Sequence, residues 1–406
     1  MMHSGTARVM NQPPGESEDR PTATGPLDAG PFIHYLQLSG LGGAEANHVA
    51  RRAVLAALIA WLPLVALAAI QGLALRPDPR ESLLLDVSIA SRYLLALPLL
   101  IAADPVCLPA LARILRHFRD SGLVAETSLP RFDALVQSTR QLVRSPGAEL
   151  VLVALAYVGT LALGSFLYPE TVSTWVVPIT NGVGRLSWAG WWRALVSQPL
   201  FLVVQLAWLW RTLLWARLLW GISHMELRLV PSHPDLAGGL GFTVASLRAF
   251  SMVALGLAVS VAGTVAENVL HRGEPLQAFR IPVGGFVALV LALFAGPLLF
   301  LAFPLLRAQP RGRLQYGALA TALGQEFERR WLQPGTVNPE SLSVQDFSAT
   351  TDLYSIASNV YHMRIVPLDL RSLIPLALAT VLPFVPVILI ALPFQRVLEL
   401  VGKLLR

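Results

Sequence analysis

Long apolar blocks dictate what this chain can fold into. A helix rises about 1.5 Å per residue, so about 20 mostly apolar residues cross a hydrocarbon core about 30 Å thick. Residues 53–75, 148–168, 198–220, 244–266 and 282–306 all reach that length. Two further blocks are interrupted. Residues 83–103 carry Asp86 and Arg92, so this block either spans facing protein or starts later with Asp86 at the interface. Residues 373–394 hold Pro375, Pro383, Pro386 and Pro393 and read as one bent span or a re-entrant hairpin, because prolines at that density kink or break a helix. The expected fold is all-α: a polytopic transmembrane helical bundle of six or seven spans with amphipathic cytoplasmic helices. Only 14% of the residues are charged and 54% are apolar, whereas soluble chains carry about a quarter of their residues as charges. An ordinary globular enzyme, a disordered protein and a nucleic-acid domain spread over the whole length are excluded.

The net charge of +6 acquires its meaning from where the charges lie. Of 31 basic residues all but Lys403 are Arg, and they flank the apolar blocks instead of forming a run. With the N-terminus inside, nineteen fall on inner segments and nine on outer ones. If the last block is a hairpin, the split becomes 22 against six. Basic loops stay cytoplasmic, so the chain is expected in a membrane with its N-terminus inside, with anionic headgroups at its inner face and no nucleic acid. The lone Cys107 excludes an intrachain disulfide and a multi-cysteine metal site. Residues 1–50 are polar, rich in Pro, Gly and Ser, and read as a disordered segment without a removable signal peptide.

The domain order expected is then the polar segment, a bundle over 51–306 with cytoplasmic helices inside 104–147, a cytoplasmic helical segment over 307–372, and a last span or hairpin plus a C-terminal helix over 373–406. Within 307–372, Tyr316, Leu319, Leu323, Phe327 and Trp331 recur at the spacing of one helical face, and a second helix is expected over 346–365, stopped by Pro367. Between spans two and three, helices are expected over 105–117 and 132–143, split by Gly122 and Pro130. No repeat of fixed period is evident.

Charges inside the spans are the first candidates for function, since each costs several kcal/mol in hydrocarbon without water or a partner. Arg211 has Trp208 and Trp215 on its own face, a spacing that permits cation–π contact from two indoles. The bland reading gives it a carboxylate partner that fixes packing. Arg217 can snorkel to the headgroups. Asp86 and Arg92, six apart, point to different faces; they line a polar pathway, or Asp86 caps its helix and Arg92 meets an acid on a neighbour. Glu267 and His271 share a face and read as a hydrogen-bonded pair.

The sharpest local motif is His233-Pro234-Asp235-Leu236-Ala237-Gly238-Gly239-Leu240-Gly241. A Gly-rich turn feeding a helix can hold an anion on free N–H groups, with Arg228 and His233 assisting and Gly238, Gly239 and Gly241 giving close approach. The competing reading is an Asp235 cap with tight glycine packing. His224, Glu226, His233 and Asp235 form a weak metal-ligand set that matches no strong signature, and no catalytic or cofactor motif is present. Trp188, Trp191 and Trp192 read as an interfacial or re-entrant helix, with a substrate vestibule as the alternative. Gly256, Ser260 and Thr264 read as a close-packing stripe.

The run 85–101, the 233–241 motif and Met363-Arg364-Ile365-Val366-Pro367 together resemble a family of bacterial polytopic integral membrane proteins over about residues 50–400. Asp104 stands where that pattern has Glu. The resemblance implies an intact multi-span membrane protein and assigns no catalytic residues or cofactor. Three functions are weighed. The leading one is passage or binding of a small solute or ion, with Asp86, Arg92 and Arg211 as polar contacts and the 233–241 turn as an inner gate. The second is a scaffold or signalling component whose 307–372 helices dock a cytosolic protein or a second copy. The third is an inner-face enzyme acting on a lipid or phosphorylated substrate.

Overall fold

The computed structural model describes residues 27, 46–165, 174–180, 183–332 and 346–391. Most of the expected disordered segment, and the expected C-terminal helix, lie outside them. Helix begins earlier than the first apolar block: α1 covers Ala46–Ile70 and ends in a turn at Gly72, whose φ of +69° suits glycine. The next helices are α2 (Val87–Asp120), α3 (Leu129–Val143), α4 (Pro146–Ser165) and α5 (Trp188–Ser223). They are followed by α6 (Ala245–Arg272), α7 (Arg280–Ala295), α8 (Ala302–Trp331), α9 (Asp346–Tyr361), α10 (Leu370–Val381) and α11 (Phe384–Ala391). A two-residue antiparallel ladder, Ile179–Thr180 with Val183–Gly184, precedes α5.

The fold is an all-α bundle, as the apolar blocks imply. Among the described residues, five continuous helical stretches are long and apolar enough to cross a membrane, and up to seven spans result if each of two bent pairs counts as one. The bent pairs are α3 with α4, at 49°, and α10 with α11, at 54°. The second bend falls at the Pro383 step inside the proline-rich block. Large apolar side chains stand exposed along α1, α4 and α7, including Leu62, Leu150, Leu161 and Ile281. Such a surface is compatible with a multi-pass membrane protein, whose outer face meets lipid instead of water.

The main departures from the sequence reading are fusions. The amphipathic helix expected over 105–117 is the continuation of α2, the Trp-rich turn is the start of α5 instead of a separate interfacial helix, and the helix expected over 316–331 is the second half of α8. A headgroup boundary changes side-chain polarity but supplies no helix stop. Ala102-Ala103-Asp104 contains none, and the bonds from Ala103 N–H to Leu99 O and from Cys107 N–H to Ala103 O carry the ladder past Pro105. By contrast α9 ends at Tyr361 and not at 365. Arg364 N–H donates to Leu236 O at 2.7 Å, and Gln309 Nε2 donates to Met363 O at 2.6 Å, drawing the chain out of helix.

Helix α6 runs through the centre, against α2 on one side and α10 on another. The expected stripe explains the first contact. A Cβ at Gly256 would lie 2.9 Å from Leu100 Cγ, and one at Gly263 would overlap Ser91 Oγ. Thr264 Oγ1 and Ser88 Oγ hydrogen-bond at 3.2 Å beside them. Phe250 and Phe294 stack at 4.8 Å, joining α6 to α7.

Candidate functional site

The charges of the spans do not converge on one site. At the end where α2 begins, Asp86 is buried and acts as the helix cap, accepting from Ile89 N–H at 3.0 Å. Its second oxygen accepts from Trp175 Nε1–H at 3.0 Å. Glu267 sits at the same helix start. Its Oε2 accepts from Val87 N–H at 2.9 Å, and its Oε1 meets His271 Nδ1 at 2.8 Å. Two carboxylates at the positive end of one helix complement its dipole.

At the opposite end of the bundle Arg211 binds Asp104 Oδ1 at 2.7 Å and stacks 4.7 Å from Trp208. The second indole contact, to Trp215, is not formed; Trp215 is buried against other neighbours. A cavity of about 10 Å³ beside Arg211 has room for about one water. Arg217 does not snorkel: Nη1 donates to Thr139 Oγ1 at 2.8 Å and Nη2 to Ser138 Oγ at 2.9 Å, tying α5 to α3.

The 233–241 motif folds around its own anion. The Asp235 carboxylate accepts from the N–H groups of Ala237 at 2.8 Å, Gly239 at 3.1 Å and Gly241 at 2.8 Å. His233 Nδ1 lies 2.8 Å from Asp235 Oδ1, and Asp235 N–H donates to the same ring nitrogen at 3.3 Å. Partial burial pushes this carboxyl up, but the N–H groups of Ala237, Gly241 and Gly239 and the His233 ring together outweigh it and hold the group below the usual carboxylate range. The donors that an external anion would use are thus bound by Asp235. The glycines permit this geometry, with φ of +64° at Gly238 and +94° at Gly239, and a Cβ at Gly241 would sit 2.9 Å from Asp235 Oδ2. Arg228 contributes its backbone N–H to Leu123 O at 2.7 Å, while its side chain is exposed.

This loop is a junction. Gly238 packs against Met363 and Leu305, Gly312 of α8 against Pro231, and Asn359 of α9 donates to Ser232 O at 3.3 Å. Two stretches distant in sequence, 233–241 and 363–367, therefore meet. The metal reading fails on the same geometry. His224 turns to Trp220 O at 2.8 Å and Glu226 accepts from Thr127 at 3.3 Å, away from His233 and Asp235. Among the described residues no group of three His, Cys, Asp or Glu side chains is arranged to hold a metal ion.

One polar cluster stands apart. Arg92 Nη1 and Tyr93 Oη–H both donate to Gln198 Oε1, at 3.2 and 3.1 Å, and the Arg92 guanidinium lies 5.8 Å from the Phe201 ring centre. Arg92 thus meets an amide and not the neighbouring acid that its charge led one to expect. Arg193 of α5 reaches the same group, interacting with both Arg92 and Tyr93. The Nε atoms of Arg92 and Arg193 are buried and bond to nothing among the described residues.

Each arginine lies at the start of a π turn, Arg92 second in Ser91–Ala96 of α2 and Arg193 first in Arg193–Ser197 of α5. Leu97 N–H returns to Arg92 O, and Gln198 N–H returns to Arg193 O. The reason is local. Pro98 and Pro199 follow immediately, and a proline ring clashes with the carbonyl four residues back, so a widened turn relieves both helices. Arg193, Tyr93 and Gln198 were not singled out from the sequence. The signal that finds them is an Arg-x5-Pro spacing shared by Arg92–Pro98 and Arg193–Pro199. No family model, curated protein or solved structure matches the chain.

Proposed function

We propose that the chain is a multi-pass protein of a bacterial cytoplasmic membrane, N-terminus inside, that binds and passes a small solute or ion. One observation carries the reading. Asp86, Glu267 and Arg217 meet partners of their own chain and Arg211, its Nε also unfilled, is paired with Asp104, whereas Arg92 and Arg193 share one cluster around Tyr93 and Gln198 with both buried Nε donors unfilled among the described residues. The polar path is thereby narrowed from three charges to one cluster where α2 and α5 begin. The 233–241 turn serves as a rigid junction beneath the α8–α9 pair instead of a gate. Anionic lipid at the Arg-rich face is part of the same proposal, as is membership of the bacterial family that the three motifs resemble.

Reconstitution tests it. Proteoliposomes holding the full chain should pass at least one of potassium, chloride or inorganic phosphate above empty vesicles, and Arg92→Gln should reduce that flux while the protein still elutes as a folded species. Flux of none of the three removes the reading.

A scaffold is the second reading, favoured by the length of α8 and its clamp to α9. Arg313 Nη2 donates to Tyr361 O at 3.1 Å, and glycines 317 and 324 of α8 lie under the hydroxyls of Tyr361 and Tyr354. Photo-crosslinking from exposed Leu314 and Leu319 that captures neither a cytosolic protein nor a second copy removes it.

A further inference from the structure

We propose that Arg92 and Arg193, brought into one cluster with Tyr93 and Gln198 where the π turns of α2 and α5 lie, hold a phosphate-type oxyanion at this end of the bundle. The proposal rests on the solute-binding reading and names the class of its solute. Two guanidinium groups repel each other, and this cost is greatest away from bulk water. Here Gln198 offers a neutral oxygen and Tyr93 spends its own proton on that same oxygen. Asp86 lies near enough to act on Arg92 but is engaged by Trp175 and Ile89. Counting these three charges leaves the cluster one positive, which suits an anion of about one negative charge.

The chemistry of the donors narrows the ligand further. A guanidinium presents Nε–H and one Nη–H as a planar fork that matches two oxygens of a carboxylate or phosphate. Both Nε–H groups are buried and unfilled, so each arginine still offers a fork edge. Two forks together offer up to four N–H donors, a number that suits a tetrahedral oxyanion with four oxygens better than a planar carboxylate with two. Both arginines are only half-buried as whole residues, although their Nε atoms are buried. The π turns are what aligns them. An extra residue in a turn rotates the following side chains by about 100° relative to an unbroken helix, so removing either bulge would turn one arginine away.

Inorganic phosphate and the phosphodiester of a lipid headgroup share this chemistry, and two arms separate them. The full chain, purified in a maltoside detergent, is titrated with radiolabelled inorganic phosphate. In parallel it is mixed with phosphatidylglycerol diluted in that detergent, and retained lipid is read by native mass spectrometry. Saturable binding in either arm is expected. Arg92→Gln and Arg193→Gln should each weaken it by about tenfold or more, the size of one charge-assisted hydrogen bond. Arg217→Gln, which alters the distant α3–α5 tie, should leave it unchanged.

Should a glutamine variant fail to fold, Arg193→Lys keeps the charge and removes the fork, and should weaken binding without changing elution. Wild-type protein that binds neither probe, or that binds equally well in the variants, overturns the site. Binding without flux in proteoliposomes leaves the site standing and removes passage. Flux indifferent to Arg92→Gln and Arg193→Gln removes the site and leaves passage standing.

Discussion

Arg211 Nη1 donates to Asp104 Oδ1 across 2.7 Å, and at 4% and 19% side-chain exposure this pair locks α5 to α2 in the interior of the bundle. Removing one partner of such a pair leaves a buried charge alone, at a cost of about 3 kcal/mol or more. Asp104→Leu should therefore lower the thermal midpoint in detergent sharply, while Asp104→Leu with Arg211→Met should recover much of the loss. A double variant whose loss equals the sum of the two single losses would show that the two residues are not coupled. Flux in the Arg211→Met variant should track the folded fraction, in contrast to Arg92→Gln.

What was legible in the sequence divides along a physical line. Span positions follow from the local length of apolar runs, and the Gly256–Thr264 stripe from local periodicity, so both could be read. Helix ends set by a stop residue were also readable, as at Gly122. The fusions in α2, α5 and α8 were not, because a bilayer surface changes polarity without breaking hydrogen bonds. Partners across the bundle, such as Asp104 for Arg211 or Gln198 for Arg92, need the tertiary fold. The π turns are an intermediate case: their cause, a proline six residues after each arginine, is printed in the sequence, but only the fold shows the two arginines in one cluster.

Asp235 supplies a pH-dependent test. Its folded pKa is depressed, so its contribution is full above the unfolded value of about 3.9 and is lost as the pH falls through the lower folded value. The carboxylate's hydrogen bonds are charge-assisted, so Asp235→Asn should destabilise the loop by about 2 kcal/mol near neutrality. Hydrogen exchange at Ala237, Gly239 and Gly241 should quicken in the variant. The gap between variant and wild type should close only in strong acid, below the usual aspartate range. A gap that closes well above the usual aspartate range would show that ionisation of Asp235 is not its cause.

Gly263 tests the contact between the central helix and the first π turn. Gly263→Ala drives a methyl into Ser91, and overpacking of this kind costs about 1–3 kcal/mol. Ser91→Gly in the same chain should return part of that stability by removing the obstructing side chain. If the double variant is no better than the single one, the strain lies elsewhere along α6.

Orientation follows from the arginine count and can be read chemically. Cys107 is buried, so the native thiol should stay silent towards an impermeant maleimide, and single cysteines can be placed against that background. Asp120 and Glu274 are both exposed and lie at opposite ends of the bundle, one closing α2 and the other following α6. The segments joined to Asp120 belong to the Arg-rich side, where basic residues resist translocation. Intact cells expressing Glu274→Cys should therefore label directly, whereas those expressing Asp120→Cys should label only after permeabilisation. The reverse pattern would place the arginines outside, and with them the 233–241 junction and the α8–α9 pair, while moving the Arg92–Arg193 cluster to the cytoplasmic end.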